Sequence, residues 1–515
     1  MNVYSRQSRE ISFTRARSRD TLKASEQARR EAPAPTTREE LAPKSRPGFL
    51  RARSHNVQTD RGDARAAIPE DSQAQTQTPV QSQAKSAVGQ PVLACLFIVS
   101  LMIPIVFKLG PLVLLPFRLF LLIMFVPLFI RLVSGRAGGM LPVDWLILGS
   151  TTWSALSLLV NHPPASVIEP VGIYYLEFFG AYALARVSIR SAEDFMKVVR
   201  LLVLSLFILL PFGLIEAVTN FNIPLSVIPS ATPDSSQGVR FGLYRAQAVF
   251  SHSIHYGVFS AAILGLAWYA YAPFKRWTRF VLTTPLAGVS TALSLSTGPL
   301  IAFNIQLILI MWEMLTRPLA KRWTIFAWIC IIGYIIVDFL ATASPFHTIV
   351  SRLALSQQSA YTRILIFEHG MNNVYANPLF GLGQDVIHWV RPSYLAESVD
   401  NFWLLLTMRY GAPAFFLLMI GVVMIVRKVS RFPLTDPADR ACRAAILTTL
   451  GGMIIAGGTV DYWKAMLSFF MFLLGAGVWT YSGGASTEAG ANAEAENTPE
   501  AGGARNAGAA LSRKR

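Results

Sequence analysis

Long apolar runs, separated by short polar turns, fill the chain from about residue 91 to residue 481. A helix needs roughly 20 apolar residues to cross the hydrocarbon core of a bilayer. Runs of about this length predict about twelve transmembrane helices, at residues 91–108, 112–130, 142–160, 169–187, 197–218, 255–273, 279–296, 299–315, 323–343, 402–427, 443–460 and 463–481. The predicted fold class is therefore an all-α, polytopic membrane protein.

The seventh and eighth predicted helices are separated only by a tight break at Ser296-Thr297-Gly298-Pro299. Glycine followed by proline can end one helix, and proline is well tolerated in the first turn of the next. We therefore count two spans here. The alternative is a single kinked helix, which would lower the number of spans by one and reverse the side on which half of the loops lie.

The composition also indicates a membrane protein, because only 15% of the residues are charged and 52% are hydrophobic, whereas soluble domains carry about a quarter charged residues. Residues 1–90 and 483–515 differ from the middle of the chain. They are low in complexity and poor in large apolar side chains, so we expect two disordered tails around a membrane domain at 91–482. The three cysteines lie in or beside apolar segments and predict no disulfide framework.

Basic residues decide the orientation of the predicted helices. With twelve spans and the N-terminus inside, every cytoplasmic loop is basic, which satisfies the positive-inside rule. The net charge of +16 is thus a topology signal and does not indicate a nucleic-acid partner. Both termini are then cytoplasmic, and two long loops at 220–254 and 344–401 lie outside, in the periplasm of a Gram-negative cell. The basic N-terminal tail is predicted to be solvated; contact with anionic lipid headgroups is the alternative.

The second long loop is the most informative part of the chain, because helices that merely cross a bilayer need only a few residues between them. Translocated loops should be poor in arginine, yet the two long loops hold five. They are Arg240, Arg245, Arg352, Arg363 and Arg391. Arginine is permanently charged and can bond two phosphate oxygens at once, so the set indicates an anionic partner. For any one of them, the alternative is pairing with a loop carboxylate such as Glu368 or Asp385, or with lipid phosphate.

Three further residues are candidates for hydrogen bonding or proton transfer. His252 and His255 are three residues apart and would share one face of a helix. No cysteine or clustered carboxylate stands beside them, so we predict no metal site. Either histidine could instead cap the sixth span. Asp400 comes directly before a predicted helix, where it would either cap that helix or act as a base at the membrane surface.

Among the charged residues inside predicted spans, the candidates for buried partners are Arg118, Glu177, Glu216 and Asp338. Charges at membrane depth are costly, so each is expected to have a buried partner or a function. Glu177 lies deepest, and the other three are close enough to span ends to reach water. The chain has no phosphate-cradling glycine loop and no soluble catalytic domain. Any reaction would therefore use a donor that is already in the membrane.

Three stretches in and after the long loops form a pattern when they are taken together. They are Arg245-Ala-Gln-Ala-Val-Phe-Ser-His-Ser-Ile-His-Tyr-Gly257, then Arg363-Ile-Leu-Ile-Phe with Asn377-Pro-Leu-Phe-Gly-Leu-Gly383, and last Asp400-Asn401-Phe-Trp-Leu with Arg409-Tyr-Gly411. This pattern resembles that of the O-antigen polymerase and O-antigen ligase superfamily, over about residues 91–481. These proteins are many-span membrane glycosyltransferases.

The resemblance implies an enzyme that acts on undecaprenyl-diphosphate-linked oligosaccharides at the outer leaflet of the inner membrane, without a metal or other cofactor. It implies that Asp400 or His255 acts as a base. It also implies that Arg245 and Arg363 bind the diphosphate. Arg240 and Arg352 assist them. A chain-length regulator and export proteins would be its protein partners.

Family members usually have histidine where this chain has Asp400. This difference favours an exopolysaccharide or capsule polymerase over an O-antigen ligase that transfers polymer to lipid A-core. A many-span transporter or flippase is the alternative from another class, and it should have two similar halves with polar sites at the membrane midplane. We find no internal repeat, and the polar residues gather in the loops. A scaffold role in a secretion complex is a third alternative.

Overall fold

The computed structural model describes residues 90–109, 112–228, 238–271, 276–340 and 357–482. Within these ranges the chain is mostly helical, in agreement with the predicted all-α class. The predicted tails, apart from Gln90, lie outside the described residues. So do the first part of the second long loop and the Arg352 that it contains.

The described residues form helices α1 to α16 and two small hairpins. The helices are α1 (Pro91–Leu101), α2 (Pro116–Val133), α3 (Pro142–Asn161), α4 (Pro164–Tyr174), α5 (Ala181–Ser188), α6 (Ala192–Thr219), α7 (Ile223–Val227), α8 (Ser253–Ala270), α9 (Arg276–Leu293), α10 (Thr297–Leu315), α11 (Arg322–Leu340), α12 (Gln357–Ala376), α13 (Phe402–Tyr410), α14 (Ala412–Arg431), α15 (Pro437–Ala456) and α16 (Ala465–Ala476). The antiparallel hairpins pair β1 (Phe107–Leu109) with β2 (Leu112–Leu114), and β3 (Val239–Arg240) with β4 (Leu243–Tyr244). A π-helical turn, Tyr175–Gly180, joins α4 to α5, and a 3₁₀ helix, Gly383–His388, precedes α13.

Eight helices in the described part of the chain are long and apolar enough to cross a membrane. They are α2, α3, α6, α8, α10, α11, α14 and the helical stretch Ala465–Ser482, which contains α16. Two shorter apolar helices are α1 and Phe280–Leu293 within α9. These helices indicate an integral membrane protein. The count of twelve spans and the side of the membrane on which each loop lies remain predictions.

Two of the predicted spans differ from the observed helices. The predicted span 91–108 is wrong in its second part, because α1 ends at Leu101 and a β-hairpin follows. The predicted span 402–427 is divided into α13 and α14 at Gly411, whose φ is +85°. A Cβ at Gly411 would lie 1.9 Å from the carbonyl oxygen of Leu379. A close approach of the second long loop therefore ends α13, although the hydropathy pattern continues.

The tight break at residues 296–299 does separate two helices. Helix α9 ends at Leu293 and α10 begins at Thr297. Between them Leu295 adopts a left-handed conformation, with φ of +46°. Pro299 lies in the first turn of α10, where its missing N–H costs no helical hydrogen bond.

Helix α8 is buried along almost its whole length and packs against α6, α9, α10 and α15. Two glycines permit this close packing. A Cβ at Gly257 would lie 2.4 Å from Ser294 Oγ, and a Cβ at Gly265 would lie 2.8 Å from Thr449 Oγ1. Because α8 begins where the first long loop ends, its packing fixes the place at which this loop meets the helical bundle.

The described part of the second long loop is folded and has a small apolar core of its own. The loop residues of this core are Ile366, Val374, Val386, Trp389, Leu395 and Val399. They pack on Leu404 and Met408 of α13. The loop can therefore hold polar side chains in fixed positions against the membrane helices.

Candidate functional site

The first long loop is fastened to the bundle by a buried carboxylate. Glu216 of α6 accepts hydrogen bonds from the backbone N–H groups of Gln247 at 3.0 Å and Ala248 at 2.8 Å. Asn222 donates to the Ala248 carbonyl at 2.8 Å. Hydrogen bonds to a charged group are roughly twice as strong as neutral ones, so the backbone that follows Arg245 is held in one conformation. Glu216 thus has the buried partners that the sequence predicts.

Arg240 and Arg245 reach the break between α9 and α10. Arg240 Nη1 donates to the Leu295 carbonyl at 3.0 Å, and Arg245 Nε donates to the Ser294 carbonyl at 3.2 Å. Both carbonyls belong to the break after the end of α9 at Leu293, so the two arginines help to hold the backbone of this break in place. Each of these contacts uses one nitrogen of a guanidinium that has five N–H donors.

Arg363 of α12 and Asp400, both from the second long loop, join these arginines. Burial raises the pKa of the Asp400 carboxyl, and the charges of Arg363 and Arg245 oppose that rise. Burial lowers the pKa of Arg363; the charge of Asp400 opposes this change and that of Arg240 adds to it. The structure thus brings three of the predicted arginines and Asp400 within range of one another's charges. We refer to Arg240, Arg245, Arg363 and Asp400 as the arginine cluster.

The arginine cluster has an excess of positive charge. Burial, with a contribution from the charge of Arg240, lowers the pKa of Arg245 to about 10, so its guanidinium is still charged at neutral pH. None of the three arginines forms an ion pair with another described residue. The Nε atom of Arg363 is buried and has no hydrogen-bond partner among the residues that the structure describes. Because a buried donor without a partner costs free energy, the cluster is suited to bind an anion.

Asp400 does not cap α13, so this part of the sequence prediction is wrong. The capping residue is Asn401, whose side-chain oxygen accepts from the Leu404 N–H at 3.1 Å. The chain is fixed in this register because the Phe402 N–H donates to the Gly457 carbonyl at 2.8 Å. The Asp400 carboxylate is therefore not used at the start of the helix and lines a cavity instead.

The two histidines have different environments. His252 caps α8, since its Nδ1 accepts from the Ile254 N–H at 3.0 Å. Burial and the charge of Arg245 lower the pKa of His252 to about 4. At neutral pH the ring is therefore uncharged, with its proton on Nε2, and acts as a hydrogen-bond donor. His255 is only 1% exposed, and its ring lies against the indole of Trp463 with 3.8 Å between the centroids.

Two cavities adjoin one another, and the first is lined by Asp400 of the arginine cluster. The Asp400 cavity has a volume of about 390 Å³, and its polar lining residues are His252, Glu397, Ser398, Asp400, Arg409 and Asp461. The Glu177 cavity has a volume of about 280 Å³, and its charged lining residues are Arg118, Glu177, Arg409, Asp461 and Lys464. The residues that line both cavities, and so lie between them, are Leu405, Arg409, Asp461 and Trp463.

Sequence reasoning missed Asp461 and gave Arg409 no role of its own. Asp461 lies in the turn between α15 and α16, where burial raises the pKa of its carboxyl to about 7 against the opposing charge of Arg409. The charge of Asp400 adds to this rise. Both residues had a usable signal, because Arg409 lies inside the predicted span 402–427 and Asp461 between the last two predicted spans. Charges at such positions of a membrane protein often have a function.

The Glu177 cavity is built around a buried ion pair. Arg118 Nε of α2 lies 2.7 Å from Glu177 Oε1, which confirms the prediction that Glu177 has a buried partner. Glu177 belongs to the π-helical turn between α4 and α5, and such turns occur frequently at functional sites. Lys464, in the turn before α16, lines the same cavity.

Two other residues singled out from the sequence, Arg391 and Asp338, lie outside the arginine cluster. Arg391 pairs with Glu397 at 2.9 Å and donates to the Trp389 and Leu395 carbonyls. Its partner is thus a loop carboxylate. Asp338 is exposed, which agrees with the alternative that it lies near enough to a span end to reach water. The reason is that its helix, α11, is peripheral and has no buried side chain.

The turn at residues 377–383 braces the second long loop against α3 and α13. The Trp153 indole N–H of α3 donates to the Leu379 carbonyl at 3.0 Å. Gly381 has a φ of +60°, and a Cβ there would lie 2.5 Å from the Met408 carbonyl oxygen. Only glycine allows this approach, so the motif positions the loop that carries part of the arginine cluster.

The chemistry of the site suits an anion better than a cation. Among the described residues, no three His, Cys, Asp or Glu side chains lie together as metal ligands would. The donors near the Asp400 cavity are guanidiniums and the neutral ring of His252. Guanidinium groups match the geometry of phosphate and carboxylate oxygens.

Comparison with known proteins gives no family for this chain, because no family model matches it and no curated protein matches it. The resemblance of the loop motifs therefore remains a prediction from the sequence.

Proposed function

We propose that this protein is a membrane glycosyltransferase that joins repeat units of an undecaprenyl-diphosphate-linked glycan, as an exopolysaccharide or capsule polymerase. The arginine cluster is the observation that carries the proposal. Its members come from two separate long loops, and each loop is fastened to the bundle by contacts of its own. Side chains that are brought together in this way beside a carboxylate and a cavity are suited to a phosphate-bearing substrate.

The diphosphate of the donor supplies the negative charge that the cluster lacks. Arg245 and Arg363 bind its oxygens, Arg240 assists, and the Nε2–H of His252 is a further, uncharged donor. Arg352 retains its role as a helper in this proposal. Fixed donors stabilise the charge that develops on the departing diphosphate. Because a diphosphate is a good leaving group, it needs no acid to depart.

The acceptor needs a base, and the Asp400 cavity offers two carboxylates. The acceptor hydroxyl oxygen attacks the anomeric carbon while the bond from that carbon to the diphosphate oxygen breaks. The electron pair leaves with the lipid diphosphate, and the hydroxyl proton passes to Asp461 or Asp400. A base is most effective when its pKa is near the working pH, and the pKa of about 7 favours Asp461. His255 is less suited because Trp463 covers its ring.

The proposed orientation has twelve spans, both termini in the cytoplasm, and the arginine cluster at the periplasmic face of the inner membrane. A chain-length regulator and export proteins would be its partners there. Reporter fusions after Ser230 and Gln384 should then be active in the periplasm, and fusions after Lys275 and Pro433 should report the cytoplasm. A periplasmic signal at Pro433 would rule out this arrangement.

The function is tested with purified full-length protein and lipid-linked repeat units alone, without nucleotide sugar or ATP. A polymerase should build chains that lengthen with time. A deletion strain should lose high-molecular-weight polysaccharide and accumulate single lipid-linked repeats. A ligase would instead leave long polymer on its carrier, and a flippase would leave repeats on the cytoplasmic leaflet. Either of these outcomes, together with no chain growth in vitro, would contradict the proposal.

A further inference from the structure

A third cavity lies at the other end of α8 from the arginine cluster. We call it the Arg440 cavity. Its volume is about 730 Å³, which is larger than either cavity near the cluster and within the range of roughly 300–1,000 Å³ that ligand pockets occupy. His255 and Tyr269, at the two ends of α8, are about 20 Å apart along the helix axis. The Arg440 cavity shares no lining residue with the Asp400 and Glu177 cavities.

Positive charge is concentrated at the Arg440 cavity. Its lining includes four arginines: Arg317, Arg322, Arg440 and Arg443. Glu313 is the single carboxylate in this lining; it accepts a hydrogen bond from the Tyr269 hydroxyl and lies 3.9 Å from Arg322. Arg317 and Arg440 are exposed, and neither forms an ion pair within the described part of the chain. The cavity therefore has cationic groups that the protein itself does not neutralise.

The remaining wall of the Arg440 cavity is largely apolar. It includes Trp268, Leu309, Val426 and Leu447, which belong to four helices of the bundle, and Trp268 is only 3% exposed. Trp323, at the start of α11, adds an aromatic side chain close to the arginines. A free phosphate ion would use the cationic part of this cavity and leave the apolar wall in contact with water.

We propose that the Arg440 cavity binds an anionic phospholipid, with the headgroup phosphate at the four arginines and an acyl chain along Leu309 and Leu447. Basic pockets between transmembrane helices are known sites for anionic headgroups. The cavity has both parts that such a lipid needs, and the helices around it include α8, α10 and α14, which are long and apolar enough to cross a membrane. This site does not depend on the proposed glycan chemistry at the other end of α8.

The test uses full-length protein in detergent and counts bound lipids by native mass spectrometry. Wild-type protein should prefer phosphatidylglycerol to phosphatidylcholine. The double variant Arg317→Gln/Arg440→Gln should bind phosphatidylglycerol about tenfold more weakly or worse and lose that preference. A matched control, Arg136→Gln/Arg200→Gln, removes the same charge from exposed positions outside the cavity and should bind as wild type does. The basic N-terminal tail is present in every variant, so its own contribution is constant.

Three results would overturn the proposal. The first is unchanged phosphatidylglycerol binding in the Arg317→Gln/Arg440→Gln variant, and the second is an equal loss in the control. The third is complete displacement of the lipid by millimolar inorganic phosphate, which would indicate an anion site without a lipid. The position of the lipid is tested with brominated acyl chains, which quench nearby tryptophans. They should quench the part of the tryptophan fluorescence that comes from Trp323, which is the part missing from the Trp323→Phe variant. Lipid binding without this quenching would place the lipid elsewhere and also refute the assignment.

Discussion

Two arrangements of arginine with aspartate in this molecule differ in whether the protein itself pairs their charges. In the first, Arg186 is fully buried, donates to the Ala137 carbonyl at 3.0 Å and lies 3.7 Å from Asp144. Asp144 is also fully buried and accepts from the Tyr182 hydroxyl at 2.5 Å. The protein itself provides an ion pair and hydrogen bonds for this arginine and this carboxylate.

The arginine cluster is the opposite case. Arg240 and Arg245 each donate one side-chain hydrogen bond to a carbonyl, and none of the three arginines has an ion pair in the described part of the chain. They are half-buried, and a cavity lies beside them. Arg186 Nε, like Arg363 Nε, has no hydrogen-bond partner among the described residues, so the two arrangements differ in ion pairing. Charges that the protein pairs stabilise the fold, whereas charges that it leaves unpaired have capacity for a ligand. This difference, and not the number of arginines, is the reason to place substrate binding at the cluster.

The largest effect is expected from Arg186→Ala. Removing one partner of a buried ion pair leaves the other charge unpaired, which costs about 3–5 kcal/mol of stability. We expect a strongly lowered melting temperature in detergent and little protein in membranes. Arg136→Ala, at an exposed position in a nearby loop, is the control and should melt as wild type does. Wild-type melting of the Arg186 variant would mean that the network around Asp144 is not structural.

Alanine at Arg245 or Arg363 should give the reverse result, with normal protein levels and a loss of activity. Removing one preplaced donor to a developing negative charge commonly lowers the rate by about 10²–10³-fold. Lysine at either position should restore only part of the activity, because it keeps the charge but not the bidentate geometry. Chain growth on lipid-linked repeats and the melting temperature are measured for the same preparations. Full activity in both alanine variants would remove the arginines from the proposed diphosphate site.

Much of the helical framework could be predicted because the length of a transmembrane helix is a local property of the sequence. The exceptions arise from contacts between distant residues. Hydropathy continues past Gly411, but the backbone of the turn at Leu379 ends the helix there. Likewise Asp400 precedes a helix as a cap would, yet Asn401 caps it because contacts with the turn after α15 fix the register.

The candidate site was only partly accessible from sequence for the same reason. Arginines in loops that are predicted to be translocated are unusual, so Arg245 and Arg363 could be selected, among five such arginines, from composition and the predicted topology. Their approach to one another could not, because it depends on how each loop is anchored to the bundle. Asp461 was missed because its burial is produced by neighbouring helices, and nothing adjacent in the sequence signals its raised pKa.

The dependence of activity on pH separates the two carboxylates of the Asp400 cavity. A general base must be unprotonated, and burial raises the pKa of Asp461 to about 7. Activity should therefore rise as the pH increases towards 7 and fall about tenfold for each unit below it. Asp461→Asn should be slow and should lack this dependence, whereas Asp400→Asn should retain it at a lower rate. If the activity of Asp461→Asn fell below pH 7 as that of wild type does, Asp461 would be excluded as the base, and the role would return to Asp400.

The smallest effect is expected from Arg391→Ala, which is the matched control for Arg363→Ala. Both arginines lie in the second long loop, but Arg391 already has a carboxylate partner in Glu397, whose side chain is 64% exposed. Exposed ion pairs contribute about 0–1 kcal/mol, so the melting temperature should change little and the rate should stay within about twofold of wild type. A loss of activity as large as that of Arg363→Ala would show that the loop requires positive charge in general. An active Arg391 variant beside an inactive Arg363 variant would instead assign the effect to the arginines that have no ion pair among the described residues.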